Sequence, residues 1–176
     1  MNICVFCSGQ EVDDTYATAA EELGRLLGQR GHTLIWGGSD GGLMRIVAEA
    51  VQKNGGKIIG ISVQFLQEKA RKNADEMIIA KDIAERKHLL LSRSDAVVAL
   101  PGGIGTLDEI SSVLELKKHT LYEKPVVILN TDNFYEGLLI EFKRMKDDGF
   151  IDAPLESIVH VEKSPEDAIL YLENLR

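Results

Sequence analysis

Short, almost wholly apolar runs alternate with longer amphipathic stretches along this chain, and that alternation restricts the fold more than any other feature. Residues 2–8, 32–36, 57–63, 76–80, 95–100, 125–130 and a run near 157–162 read as strands. Between them, 13–30, 42–53, 82–93, 105–118, 134–147 and 165–175 read as helices. In the first helix Tyr16, Ala20, Leu23 and Leu27 recur at helical spacing. In the second, Leu43, Ile46, Val47, Ala50 and Val51 gather on one side. The polar stretch 64–75 reads as irregular or briefly helical. Strands apolar on both sides, each followed by a helix, belong to a parallel sheet covered on both faces. The expected fold is therefore α/β, a Rossmann-like doubly wound parallel sheet. At 176 residues the expectation is a single domain over 1–176. An apolar share of 44% supplies a core for it.

The formal net charge of −8 repels a polyanion, so no nucleic acid partner is expected; one pocket can still hold a small phosphate. No run approaches the roughly 18 apolar residues of a membrane span. Met1-Asn2-Ile3-Cys4 lacks the basic start of a signal peptide, so the cytoplasm is the expected location. Cys4 and Cys7 lie three apart in the first strand, point to opposite faces, and are expected to stay reduced. His32, His88, His119 and His160 show no metal or triad spacing, and Ser94 and Ser111-Ser112 lack a nucleophile-elbow context. No metal is expected. Nothing supports a pyridoxal site, and no cofactor is expected.

In doubly wound folds the ligand lies beyond the carboxyl ends of the strands. Three loops there are rich in glycine or small polar residues: Cys7-Ser8-Gly9, Gly37-Gly38-Ser39-Asp40-Gly41-Gly42, and Pro101-Gly102-Gly103-Ile104-Gly105-Thr106. Glycine admits a ligand to the backbone N–H groups, and a helix starting there adds unpaired donors and its positive dipole end. Together these make a phosphate site. The Gly-Lys-Ser/Thr of an ATP loop is absent, and the late Gly103-Ile104-Gly105 is followed by Asp108 where a dinucleotide fingerprint needs glycine. Thr106 and Glu109 fit a capping box and, equally, a catalytic carboxylate at the loop's mouth. Arg86 falls within the apolar stripe marked by Ile83 and Leu90. It either snorkels to solvent or reaches an anion, the ligand or Glu109.

The run Pro101-Gly102-Gly103-Ile104-Gly105-Thr106-Leu107-Asp108-Glu109 matches the P-G-G-x-G-T-x-x-E motif and resembles the LOG ("lonely guy") family of cytokinin riboside 5′-monophosphate phosphoribohydrolases. Phe6-Cys7-Ser8-Gly9, Gly37-Gly38 with Gly42-Leu43-Met44, Glu85-Arg86-Lys87, Lys124-Pro125-Val126 and Phe134-Tyr135 are similar to further family segments. The chain departs at Ile83-Ala84, where many members have Met-His, and at Arg45, where many have glycine. The resemblance implies a homodimer with sites near its interface, acting on a nucleoside 5′-monophosphate with adenine or N6-modified adenine as base. It implies that Gly102, Gly103, Gly105 and Thr106 cradle the phosphate, with Arg86 and Glu109 as catalytic pair. Lys87, Ser8, Gly9 and Gly38 would lie at the nucleotide and Glu68 at the base. Carrier or sensor proteins of similar fold, among them molybdenum-cofactor carriers, share such loops and stand as the alternative.

Overall fold

The computed structural model describes residues 1–175; Arg176 lies outside the described residues. Seven strands, β1 (Asn2–Phe6), β2 (Thr33–Trp36), β3 (Lys57–Val63), β4 (Glu76–Ala80), β5 (Ala96–Ala99), β6 (Val126–Leu129) and β7 (His160–Glu162), form one sheet. Its order is β4-β3-β2-β1-β5-β6-β7, and every pairing is parallel. The main helices are α1 (Asp14–Gln29), α2 (Gly42–Lys53), α3 (Ile83–Ser92), α4 (Ile104–Lys118) and α5 (Glu136–Asp147). A short α6 (Leu155–Ile158) and α7 (Pro165–Asn174) follow.

β1 lies mid-sheet. The chain first winds outward through β2, β3 and β4, then restarts on the other side with β5. The loops after β1 and β5 therefore part from one another, leaving the crevice where such folds bind ligands. Alternate residues of each strand feed two cores. Ile3, Val5, Leu34 and Trp36 pack with Leu23, Val47 and Ile169 from α1, α2 and α7. Cys4, Phe6, Ile35 and Ile61 pack with Leu90 and Ile110 from α3 and α4. The two cysteines thus serve opposite faces, both free and buried. Helices α1 and α2 touch closely at Gly24, where a Cβ would stand 2.5 Å from the Val47 carbonyl oxygen.

Two expected boundaries move. The run at 157–162 is not one strand, because 155–158 coils into α6 and β7 begins at His160. The helix expected from 134 starts at Glu136. A 3-10 turn over Thr131–Asn133 precedes it, with Asp132 and Asn133 at positive φ, and Asn130 Oδ1 accepts from Tyr135 N at 2.7 Å. The polar stretch after β3 opens with a 3-10 turn, Gln64–Lys69. Among the described residues no helix is long and apolar enough to cross a membrane.

Candidate active site

The third glycine loop leaves β5 and runs directly into α4. Gly103 is the cap residue, with no side chain capping the helix, so the first-turn N–H groups face outward without intrahelical acceptors. Thr106 consequently does not start the helix as a capping box requires; it stands within the first turn, its side chain buried against Gly102. A Cβ on Gly102 would fall 2.2 Å from Thr106 Oγ1. Gly103 and Gly105 differ: a Cβ at either would meet nothing within 4 Å. Packing inside the chain does not call for glycine there, whereas an anion approaching the helix end does.

One turn further along α4, Glu109 points inward and is buried, 6% exposed. Its partner comes from α3. Arg86, 8% exposed, donates from Nη1 to Glu109 Oε1 at 2.9 Å and from Nε to the Ile61 carbonyl at 2.9 Å. The snorkelling alternative is excluded, and so is Glu109 as a cap. Ile83, which marked the supposed apolar stripe, is exposed, so α3 turns Arg86 inward independently of it. Gly37 makes room for the guanidinium: a Cβ there would lie 2.2 Å from Arg86 Nη2. Burial pushes the Glu109 carboxyl above its ordinary 4.5, and the Arg86 charge pulls it part of the way back. The same burial, reinforced by Glu109, raises the thiols of Cys4 and Cys7, which leaves them protonated and unreactive. Tyr135 closes the underside, its hydroxyl donating to the Leu100 carbonyl at 2.7 Å.

The first two loops interlock. Gln10 N donates to Ser8 Oγ at 3.0 Å and Met44 N to the Ser8 carbonyl at 3.1 Å. Gly42, at φ +50, lies so close to Gln10 that a Cβ would sit 2.2 Å from its carbonyl oxygen. Gly38 is required by its own backbone, at φ +79. Gly9 and Glu68 border a cleft of about 820 Å³ beyond Ser39-Asp40-Gly41. This is the largest hollow described, yet neither Arg86, Glu109 nor the Gly102–Thr106 loop lines it. Lys87 points along α4, where its Nζ bonds Asp108 Oδ1 at 2.9 Å and Ser112 Oγ at 2.9 Å. Sequence reasoning passed over Arg71, a buried cation tied to Asp40 and Gln52 at the same cleft. Its isolation in a polar stretch carried no periodic signal.

A doubly wound sheet with an open helix N-terminus and a buried Arg–Glu pair near its switch point defines a Rossmann-like α/β protein. Comparison with known proteins narrows this. Residues 44–172 match the family model described as "Possible lysine decarboxylase". A cytokinin riboside 5′-monophosphate phosphoribohydrolase of Arabidopsis thaliana is 38% identical over 152 residues, 85% of this chain and 67% of that protein. A probable enzyme of the same name from Oryza sativa subsp. japonica is 35% identical, covering 89% of this chain and 69% of its own. The chain belongs to this family, the LOG family. Among solved structures, the molybdenum cofactor binding protein from Rippkaea orientalis superimposes with a TM-score of 0.78 at 25% identity. That match covers 99% of this chain and 96% of the other.

Proposed function

We propose that the protein hydrolyses the N-glycosidic bond of a nucleoside 5′-monophosphate, releasing free base and ribose 5-phosphate. The observation that carries this reading is the buried Arg86–Glu109 pair one helical turn behind an open glycine loop. The N–H groups at the start of α4, with Gly102, Gly103, Gly105 and Thr106, hold the 5′-phosphate. This sets C1′ of the ribose near Glu109. As the C1′–N bond breaks, its electron pair leaves with the base and positive charge grows on the sugar. The Glu109 carboxylate stabilises that charge and orients the water whose oxygen adds to C1′ and whose proton ends on the base, as carboxylates do in glycoside hydrolysis. Arg86, fixed by the Ile61 carbonyl, keeps Glu109 ionised and aimed. Ser8, Gly9 and Gly38 complete the nucleotide's surroundings, with Lys87 holding the α3–α4 contact beside it. No step needs a metal, and a chelator should leave turnover unchanged.

The family relatives' names support this activity. The likeness to a molybdenum cofactor binding protein supports a second reading, a carrier that holds its ligand without turnover. The two separate in one experiment. Purified protein is incubated with AMP, N6-isopentenyl-AMP, GMP, CMP and adenosine, and free base and ribose 5-phosphate are followed by chromatography. Release from monophosphates and not from adenosine is the expected result; tight binding without release from any of them overturns the enzyme.

The assembly we propose is a homodimer with the sites near its interface. Support comes from Ile104 and Leu107 at the start of α4 and Leu121 beyond its end, all exposed. An apolar groove between α3 and α4 adds to it. A mass of one chain in light scattering would remove this part. Reduced, buried Cys4 and Cys7 support a cytoplasmic location.

A further inference from the structure

Segment 69–71, which starts at the last residue of the 3-10 turn Gln64–Lys69, runs antiparallel to Ser39-Asp40 in an arrangement separate from the main sheet. Asp40 N donates to the Lys69 carbonyl at 2.8 Å, Arg71 N to the Gly38 carbonyl at 2.8 Å, and Ser39 bridges Ala70. One side chain locks this strap down. The buried Arg71 guanidinium ion-pairs with Asp40, donates to Gln52 Oε1 from Nη2 at 2.9 Å, and faces Glu49 at 3.6 Å. A buried fork satisfied on three sides is a fixed element, not a mobile surface charge.

The strap lines the cleft of about 820 Å³ together with Gly9, Gly41 and Glu68. Arg86 links the two regions: it pairs with Glu109 on α4 and abuts Gly37, which leads through Gly38 into Ser39 on the cleft wall. A nucleotide with its phosphate on α4 and C1′ at Glu109 therefore directs its base along Gly37–Ser39 into the cleft. The cleft's chemistry is one-sided. Among the described residues its walls carry no apolar side chain larger than Ala70, and they present Asp40, Glu68 and Arg71. An apolar substituent laid against these groups strips their water without replacing it.

Resting on the activity proposed above, we infer that Arg71 is a positioning residue that sets base selectivity. By holding the strap it keeps the base subsite polar, so that the site takes an unsubstituted amino-bearing base in preference to one with an apolar N6 chain. Arg71 touches neither the scissile bond nor Glu109, so its loss acts on substrate binding and leaves the chemical step alone.

The test compares AMP with N6-isopentenyl-AMP on wild type, Arg71→Gln, Arg71→Lys and Asp40→Asn, reading kcat and KM separately, with thermal midpoints as the folding control. Wild type should favour AMP by at least about tenfold in kcat/KM, within the range a poorly matched pocket yields. Arg71→Gln should raise KM for AMP about tenfold with kcat within about twofold, and narrow the preference. Arg71→Lys should fall between, and Asp40→Asn, altering a half-exposed partner, reports the same change should Arg71→Gln fail to fold. Wild-type preference for the isopentenyl nucleotide, or a fall in kcat with KM and selectivity unchanged in the variants, overturns the inference. If no nucleotide is turned over, it is the proposed activity that has failed. Equilibrium binding of the same two nucleotides then decides the subsite, with AMP the tighter ligand and the difference reduced in Arg71→Gln.

Discussion

Arg86 Nη1 donates to Glu109 Oε1 at 2.9 Å, a bond joining α3 to α4 in a place where both side chains are almost out of water. Removing one partner of such a pair strands a buried charge, so alanine at either position confounds chemistry with folding. Glu109→Gln is milder: the amide oxygen still accepts from Arg86, so the guanidinium keeps its hydrogen bond although it loses its counter-charge. Turnover of AMP should fall by roughly 10²–10⁴-fold while a cooperative thermal transition shows that the variant still folds. Retained turnover would reduce Glu109 to a structural partner of Arg86.

The raised Glu109 carboxyl fixes the direction of the pH dependence. If the carboxylate is the working form, kcat/KM falls on the acid side with a midpoint above the ordinary 4.5. Arg86→Met removes the charge opposing burial, and whatever residual activity it keeps should show that midpoint displaced upward. Stability follows the same sign. A carboxyl whose folded pKa exceeds its unfolded value lends stability below the unfolded value and loses it as pH climbs through the folded one. Measured against wild type, the thermal midpoint of Glu109→Gln should therefore improve as pH rises across that window. An acid limb at or below 4.5 would contradict the assignment.

The alternation of apolar runs and amphipathic stretches was enough to read the sheet, because strands buried on both faces leave an unambiguous pattern. The candidate site was legible where it coincided with glycine loops. Arg86 stood out as a charge in an apolar stripe, although Ile83, which helped define that stripe, is exposed. What the sequence did not reveal depends on contacts between distant segments. Nothing local distinguishes Arg71 from its neighbours; its burial comes from Asp40 and Gln52, far back in the chain. The capping-box reading of Thr106 failed because the helix starts at Ile104, and a glycine cap leaves no side-chain signature. At 157–162 the apolar run ignored Pro154, which precedes α6 and suits the residue before a helical turn.

Two glycines of the loop proposed to hold the phosphate should respond oppositely to the same substitution. At Gly105 an added methyl meets nothing within 4 Å, and alanine in a first helical turn lowers the entropy of the unfolded chain. Gly105→Ala should thus be neutral or stabilising by up to about 1 kcal/mol, yet raise KM for AMP about tenfold by occupying the anion's approach. At Gly102 the methyl would collide with the buried Thr106 side chain at 2.2 Å. Gly102→Ala should cost about 1–3 kcal/mol of stability, the usual penalty of overpacking. Chemical denaturation alongside steady-state kinetics reads both. A Gly105→Ala protein with unchanged KM would take the phosphate away from this helix end.

Gly37 offers the most local test of how the Arg86–Glu109 pair is seated. Its absent Cβ is the space that Arg86 Nη2 occupies, at 2.2 Å from where the methyl would be, while the Met44 thioether stands at 3.1 Å. Methionine is flexible and can yield, but Arg86 is held at Nε by the Ile61 carbonyl and at Nη1 by Glu109. The methyl in Gly37→Ala therefore displaces the guanidinium first. The expected result is a folded protein, destabilised by about 1–3 kcal/mol, whose kcat drops at least about 10²-fold because Glu109 has lost its aligned partner. Phosphate binding should survive, since the atoms nearest a Gly37 methyl belong to Arg86 and Met44 rather than to the start of α4, and AMP affinity by calorimetry separates the two effects. Full activity in this variant would mean that the site tolerates a moved Arg86, and that the Glu109 carboxylate works without the bond seen here.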